Sequence, residues 1–590
     1  MINYTIFDYE TYYEERGRDG VPAYSLKNMP TQEYVLDDRW HCYGVAVYRS
    51  EFVEDEPIWK TRDLHLGHCE ADVLVGHNLL FDETVRRLRY GGNPAPFYID
   101  TMLLARYWIS QSGLPATLTT SLKALAEHYD LPRKGDTAEA TAAGGEALAE
   151  YARHDVWLTK QLLRRLLPDV PSRELRLMDL HVRMASDPYL RADPELLQAE
   201  VEAGHVPEEL KKAVSSSDQF ADLLRRCGVE PETKPGKRGP TYAFAKTDAF
   251  MQRLEHHPDP QVRKLRELRL AAKSTIGTSR AKRMLDCTHR GKHPLGVPLL
   301  YYGAHTGRAS GLDKLNLQNL PTGGRIRRAL QAPEGYMLVI CDSGQIEPRA
   351  LAWLAGAQAF LRLFREADTN TGPDVYVGFA QENLFPGQEI DKAKRTYTKP
   401  VLIGTGYGQQ GRGMSAYAAG MGVEMSVEEA QRCVDTYHRA FPEIRPYWRH
   451  IEGQVRQHGV QQLPSGRLLT YPDLRHERGE RGPQMVYSRH QIFSKTRNYR
   501  DDVRLWHGAL VENCVQAVAR DVVMEQTLWL AKDWKVVLSA HDEVVLCVPE
   551  DQAERAKSEA EAAFATPPQW AEGLPLVGEA IISKDYGEKP

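Results

Sequence analysis

Absences narrow the field before any motif is read. No apolar run in the sequence approaches the roughly 20 residues that span a bilayer, so no membrane span is expected. The opening Met1-Ile2-Asn3-Tyr4 has neither a basic stretch nor a long apolar segment, so no secretory signal is expected. The eight cysteines stand singly, with no C-x-x-C pair. That argues against a structural zinc site or a disulfide framework and fits a reducing cytoplasm. There is no excess of positive charge either: the net charge is −5. Such a balance does not advertise nucleic-acid binding, yet binding depends on a local basic groove, and acidic metal sites pull the total down. Internal repeats and low-complexity tracts are missing as well.

What remains is a globular composition, 42% hydrophobic and 26% charged over 590 residues. That length exceeds one hydrophobic core and predicts two to four domains. Up to about residue 168 short apolar runs alternate with helical stretches, an α/β pattern. Asn3 to Phe7, Cys42 to Tyr48 and Val73 to Val75 read as strands, and Ser121 to His128 and Gly145 to Leu167 as helices. Pro168 and Pro171 punctuate the end of this block. From about 172 to 290 charged helical stretches dominate. They include Lys264 to Leu270, then Lys273, Arg280, Lys282 and Arg283, and a basic loop over Lys234-Pro235-Gly236-Lys237-Arg238-Gly239-Pro240. Singly these cations read as solvated faces; as a cluster they can grip a phosphate backbone. Further on, Tyr336 to Cys341 reads as a buried strand ending at Asp342. Val536 to Ser539 and Val544 to Val548 read as a hairpin with His541-Asp542-Glu543 at its turn.

Five short acidic signatures carry the chemistry. The first three are Phe7-Asp8-Tyr9-Glu10, Asn78-Leu79-Leu80-Phe81-Asp82 and Tyr151-Ala152-Arg153-His154-Asp155. Asp8 and Glu10, two apart on a strand, share a face. Tyr151 and Asp155, four apart on a helix, do likewise. Asp8, Glu10, Asp82 and Asp155 can therefore supply four carboxylates to one pair of divalent cations. Two such ions about 4 Å apart activate water and stabilise a leaving 3′-oxygen, and Tyr151 can position that water. A lone D-x-E is usually a surface pair; the three signatures in this order are not. They resemble the DEDDy 3′–5′ exonuclease domain, of RNase H-like fold, found in proofreading polymerases. Asp100-Thr101 and Ser121-Leu122-Lys123-Ala124-Leu125-Ala126 resemble that family's connecting segments.

The other two signatures are Asp342-Ser343-Gly344-Gln345-Ile346-Glu347 and His541-Asp542-Glu543. One carboxylate from each can chelate a second pair of Mg²⁺ ions, one activating a primer 3′-hydroxyl and the other neutralising a triphosphate. Arg395 and Lys399, four apart, would point one way from a helix and make charge-assisted contacts to a triphosphate. Alone, such a pair reads as a solvated face. Here it stands among Thr306-Gly307-Arg308-Ala309-Ser310, Asn316-Leu317-Gln318-Asn319-Leu320-Pro321 and Tyr407-Gly408.

Together these segments resemble the family A DNA polymerases, particularly the compact phage type, from Asp8 almost to the C-terminus. The resemblance implies a multidomain α/β fold. An RNase H-like exonuclease would occupy residues 1–170 and a right-hand polymerase 171–590. Within the latter the thumb would fall over about 175–295, the palm over about 296–360 and 510–590, and the fingers over about 361–509. Carried onto this sequence, Asp342 and Asp542 match the palm metal ligands, with His541 and Glu543 flanking the second and Glu543 near the primer end. Arg395 and Lys399 match the nucleotide-delivering helix, and Tyr407 the aromatic near the templating base. Arg308 and Gln516 match probes of the primer–template minor groove, which hydrogen-bond to acceptors shared by all correct pairs. Asn319 belongs with the DNA contacts and Gln345 with the nucleotide contacts. Glu347 resembles the steric gate that leaves no room for a 2′-hydroxyl, which argues against the related single-subunit RNA polymerases. The implied cofactor is Mg²⁺, two per site, with Mn²⁺ as a substitute. The implied partners are primer-template DNA and deoxynucleoside triphosphates, met by a monomer in the cytoplasm of a host cell, with no processivity factor identifiable. No 5′-nuclease domain fits ahead of Asp8.

The chain also departs from the pattern. Ser343-Gly344 replaces the usual Tyr-Ser after the first palm Asp. Four residues after Lys399 stands Ile403 rather than Phe or Tyr, with Pro400 inside the expected helix, where proline removes a hydrogen bond and favours a kink. Drift and adaptation to an unusual nucleotide both stay open. Polymerases of phages that replace adenine with 2-aminoadenine are similar to this chain, so acceptance of that nucleotide is one expectation. The competing readings are a nuclease whose C-terminal half only clamps DNA, and a non-catalytic replication scaffold. Intact Asp342, Asp542, Arg395 and Lys399 weigh against the former, and two full carboxylate sets against the latter.

Overall fold

The alternating runs of the first hundred residues become one sheet in the computed structural model, which describes residues 2–17, 23–51, 55–62, 66, 71–236, 239–246, 248–273, 276–479, 482–493 and 501–590. Strands β1 (Tyr4–Thr11), β2 (Cys42–Arg49), β3 (Ile58–Lys60), β4 (Val73–Gly76) and β5 (Phe97–Asp100) lie in the order β3-β2-β1-β4-β5. The central β1 is antiparallel to β2 and parallel to β4. It runs four residues beyond the expected end at Phe7, because pairing with β2 continues to Thr11 opposite Cys42. Asp8 and Glu10 are thus held on a core strand, alternating with Phe7 and Tyr9, which are buried.

The helices of this part of the chain include α1 (Leu79–Leu88), α2 (Thr101–Gln111), α3 (Leu122–His128) and α4 (Gly145–Leu166). Asp100 ties two of them down. Its carboxylate accepts the backbone N–H groups of Asn78 and Leu79 at the start of α1, each at 3.0 Å, and of Met102 in α2 at 2.8 Å. Those are orphan donors that every helix start must satisfy. Ser121 caps α3 in the same way through Ala124 N.

Beyond Pro171, helix α5 (Ser172–Ser186) leads into helices and a short hairpin, Thr233–Gly236 against Gly239–Tyr242. This pairing replaces the expected basic loop. Proline is tolerated there because each strand of a two-stranded ribbon has a free edge. Lys237 and Arg238 lie outside the described residues. A second sheet, entirely antiparallel, consists of β6 (Tyr336–Ser343), β7 (Lys535–Ala540), β8 (Glu543–Pro549) and β9 (Gly578–Ser583), in the order β7-β8-β6-β9. Between β6 and β7 come helices α6 (Ile346–Ala355), α7 (Lys392–Gly406), α8 (Val427–Ala440), α9 (Ile444–His458) and α10 (His507–Leu530), among others. No helix among the described residues is long and apolar enough to cross a membrane.

One hydrophobic core joins the two sheets, running from Ile6 and Val75 through Leu177 and Met178 of α5 to Val339 and Leu546. A separate core, with Phe360, Val434, Tyr437 and Phe441, holds the helices between β6 and α10. Where these bodies meet, the chain buries an ion network. Arg520 grips Glu174 with both terminal nitrogens at 2.9 Å and reaches Asp521 at 3.0 Å. Arg467 closes on Asp521 at 2.7 Å and on the Thr306 carbonyl at 3.0 Å. Burial disfavours the Glu174 carboxylate, but Arg520, Arg467 and the Tyr301 hydroxyl outweigh it and hold its pKa at about 2. Removing one partner of a buried pair costs about 3–5 kcal/mol, because the other charge is stranded. Arg520→Met should therefore destabilise the chain by about that amount, and Glu174→Met combined with it should recover part of the loss. Denaturant unfolding of both single variants and the double measures this; a double-variant loss equal to the sum of the two single losses would mean the pair is not coupled.

Candidate active sites

Two groups of carboxylates are held in place by the two sheets. In the first, Asp8 and Glu10 project from β1, Asp82 from the first turn of α1 and Asp155 from α4. Asp82 is fixed by the Tyr9 N–H, which donates to its Oδ1 at 2.8 Å. Burial raises Asp8 to about 7, with Asp155 adding to the rise and Lys134 opposing it. Glu10 and Asp82 are raised well above the usual range by burial and by the neighbouring carboxylates. Lys134, on the loop after α3, pairs with Asp155 and lies 4.7 Å from the centre of the Tyr151 ring. The Tyr151 hydroxyl is 2.6 Å from Thr137 Oγ1.

In the second group, the register of β6 against β8 sets Asp342 opposite Glu543. Asp542 is joined to the same place through its carbonyl, which accepts the Ser343 N–H at 2.9 Å. Burial raises Asp342 to about 7, and Asp542 reinforces the rise; Asp542 is itself raised by burial. Glu543 is the most enclosed of the three. Arg327 reaches its two oxygens at 3.3 and 3.1 Å, Tyr586 donates to it, and Lys589 stands 3.4 Å away. Lys589 is also 3.9 Å from Asp342 Oδ1. Three residues beside these carboxylates adopt left-handed backbone that side chains rarely take: Asn78 (φ 69°), Gln345 (φ 56°) and His541 (φ 60°). Such strain collects at functional sites.

The donor sets suit hard divalent cations. Asp155 Oδ1 and Asp342 Oδ1 are buried without a hydrogen-bond partner, and both groups repel internally unless a cation joins them. Among the described residues no three carboxylate, His or Cys side chains close into a ready cage. Mg²⁺, which keeps several waters and takes few protein oxygens, fits such an open set.

The cationic helix forms as its spacing predicts. α7 runs unbroken through Pro400, and Arg395 and Lys399 lie on one side of it, 5.3 and 5.6 Å from the centre of the Tyr376 ring. Arg395 also pairs with Asp374 at 2.8 Å. Ile403 is half-buried one turn further along. Glu347, in the first turn of α6, accepts from Arg308 Nη2 at 2.6 Å and from the Tyr407 hydroxyl at 2.8 Å. Arg308 Nε is buried and unpartnered. Gln516 donates to Glu512 Oε1 on the turn before it in α10, and His541 Nε2 lies 3.3 Å from Asn319 Oδ1. Arg280 and Arg283 bond the carbonyls of Asn319 and Lys314, so these two cations brace the fold. Sequence reasoning missed Lys134, Arg327, Asp374, Tyr586 and Lys589. None of them carries a motif; Arg327 stands among the cations of Arg325-Ile326-Arg327-Arg328, and only its burial sets it apart.

A family model describing DNA polymerase family A matches residues 192–588. A thermostable DNA polymerase I of Thermus filiformis is 30% identical over 423 residues, 68% of this chain and 45% of that protein. A DNA polymerase of Bacillus phage SP02 is 30% identical over 289 residues, 45% of this chain and 43% of that one. The chain thus spans less than half the length of these relatives. Among solved structures, the POL domain of Pol1 from M. smegmatis, in complex with DNA primer-template and dNTP, superposes with a TM-score of 0.65 at 19% identity. The match covers 99% of this chain and 96% of that one, a likeness of fold.

Lys134 generates a prediction. Lys134→Met removes the cation that faces Asp8 and Asp155, so in EDTA the variant should unfold at a lower temperature than the parent. Added Mg²⁺ should then raise its midpoint by more, since no tethered ammonium competes for the carboxylates. Thermal unfolding with and without Mg²⁺ checks this; identical responses would mean Lys134 and the metal do not share the site.

Proposed function

The chain belongs to DNA polymerase family A, and from that premise we propose that it is a template-directed DNA polymerase with its own 3′–5′ proofreading exonuclease. The observation that carries this reading is the pair of buried carboxylate groups, one on each sheet. The domain division follows: an exonuclease over residues 1–170 and a polymerase over 171–590. The second sheet would be the palm, the helices after α6 the fingers, and the helical stretch from about 175 to 295 the thumb.

In the polymerase site Asp342 and Asp542 are the ligand carboxylates. Bound Mg²⁺ or Mn²⁺ supplies Lewis-acid activation of the attacking oxygen and neutralises the leaving group. Arg395 and Lys399 hold the triphosphate, and their contacts strengthen as charge develops on it. Glu347, clamped between Arg308 and Tyr407, fills the space beside the sugar and excludes a 2′-hydroxyl. Tyr407 lies beside the templating base, with Gln345 among the nucleotide contacts. Arg308, which holds Glu347 through Nη2, keeps further guanidinium donors to offer a base pair in the minor groove, and Gln516, Asn319 and His541 line the same DNA path. Glu543, pinned by Arg327 and Tyr586, acts by position beside the primer end. In the exonuclease site Asp8, Glu10, Asp82 and Asp155 are the ligands and Tyr151 orients the attacking water. Replication of a phage genome, by a monomer, is the setting that fits the similarity to a compact phage enzyme. Ile403 in place of an aromatic leaves room for an altered nucleotide preference, and acceptance of a 2-aminoadenine nucleotide belongs to this proposal.

Separate sites predict separable losses. Asp342→Ala should reduce primer extension to below about one per cent, a barrier change of about 2.7 kcal/mol or more, and leave single-strand degradation intact. Asp8→Ala should do the reverse. Gel assays of a labelled primer, alone and annealed, read both; extension by Asp342→Ala near the parental rate would sink the palm assignment. Glu347→Ala should weaken discrimination against ribonucleotides by about tenfold or more, read as a ratio of kcat/KM values. An unchanged ratio would place the gate on another side chain.

A further inference from the structure

On the helical body between β6 and α10, α8 and α9 flank an open cavity of about 510 Å³ lined by Arg432, Asp435, Thr436, His438, Arg439 and Arg445. That volume lies within the range of small-ligand sites. Three guanidiniums face one carboxylate there. Arg432 and Arg445 are exposed and have no ion-pair partner among the described residues, while Arg439 bonds only Thr436 Oγ1, at 2.9 Å. Asp435 is engaged by the Gln431 amide at 3.0 Å.

The floor of the cavity is unusual in a second way. His438 is 7% exposed, and neither ring nitrogen meets a hydrogen-bond partner. A buried imidazole left wholly unpaired is costly, and native interiors rarely keep one without a use. The ring packs edge-on against Trp448, 5.1 Å between centres, so it cannot swing out freely. Trp448 in turn donates its indole N–H to the Gly406 carbonyl at 3.1 Å, at the end of α7.

We propose that this cavity is a phosphate-binding site, with Arg432, Arg439 and Arg445 gripping the anion and His438 donating a ring N–H to it from below. Guanidinium forks match phosphate oxygens two at a time, and a neutral imidazole adds one donor where a fourth full charge would be hard to bury. Burial and the nearby Arg445 hold the His438 pKa down at about 4, so the ring is neutral at physiological pH. The ligand is a diphosphate or the phosphate backbone of a single strand; the chemistry recognised is the same. The site lies outside the proposed catalytic groups and stands or falls independently of them.

Arginine-specific modification by phenylglyoxal, mapped by mass spectrometry on the whole chain in EDTA, tests this. Arg449, exposed on α9 and outside the cavity lining, is the internal control. Inorganic pyrophosphate should slow modification of Arg432, Arg439 and Arg445 at least about tenfold relative to Arg449, as expected for bidentate ion pairs. The same should hold in Lys399→Ala, which separates this site from the nucleotide helix. A second arm uses a short single-stranded oligonucleotide: protection by it at lower phosphate concentration assigns the site to a strand backbone, and protection by pyrophosphate alone assigns it to a free diphosphate. His438→Phe, which keeps an aromatic ring against Trp448 and drops both nitrogens, should weaken binding of the protecting anion about tenfold while the unfolding midpoint stays within a few degrees. Equal protection of Arg449, or no protection in either arm, would overturn the proposal.

Discussion

Carboxylates buried side by side repel one another, and this chain buries them so in two places. Water cannot screen the repulsion there, so each group needs positive charge nearby or must hold a proton. The protein provides part of that charge itself. Lys134 pairs with Asp155 in the first group, and Arg327 and Lys589 stand around Glu543 in the second. The rest is left open: Asp8 and Asp342 are both pushed to about 7. Both groups thus hold acid that the protein's own cations do not fully neutralise.

Holding such groups still requires a rigid frame. β1 and β6 are central strands, paired on both sides, so the backbone that carries Asp8 and Asp342 is fixed by its neighbours. The single core that joins both sheets through α5 makes the two sites parts of one body. The Glu174–Arg520–Asp521–Arg467 network pins α5, α10 and the segment after α9 at the point where that body meets the second core. A buried ion network contributes little net stability compared with apolar packing, but it penalises any other arrangement of its parts.

In the first 170 residues three strands and the helices over Leu122–His128 and Gly145–Leu166 were legible from their apolar period, whereas Ile58–Lys60, Phe97–Asp100, Leu79–Leu88 and Thr101–Gln111 were not read. The strand face of Asp8 and Glu10 was legible from their spacing, while the extent of β1 to Thr11 is set by its pairing with β2. The β7–β8 hairpin was legible from its two apolar runs, and the Arg395–Lys399 face from its spacing alone. Pro400 misled in part: α7 continues through it, because neighbouring packing holds a helix that lacks one hydrogen bond. Lys134 and Lys589 left no trace in the sequence, as a lone lysine has no pattern and its partners lie far along the chain. His438 was equally hidden. Its significance comes from being buried without a partner, which only the packing of α8 on α9 reveals.

The central claim is that two carboxylate sites on one chain act in opposite directions on the same primer end. Idling turnover measures that directly. The purified chain is given Mg²⁺, a matched primer-template and only the next complementary deoxynucleoside triphosphate, and the release of free monophosphate is followed while primer length is monitored. The account predicts steady conversion of triphosphate to monophosphate and pyrophosphate at constant primer length. Extension by one residue, followed by no monophosphate release, would contradict it.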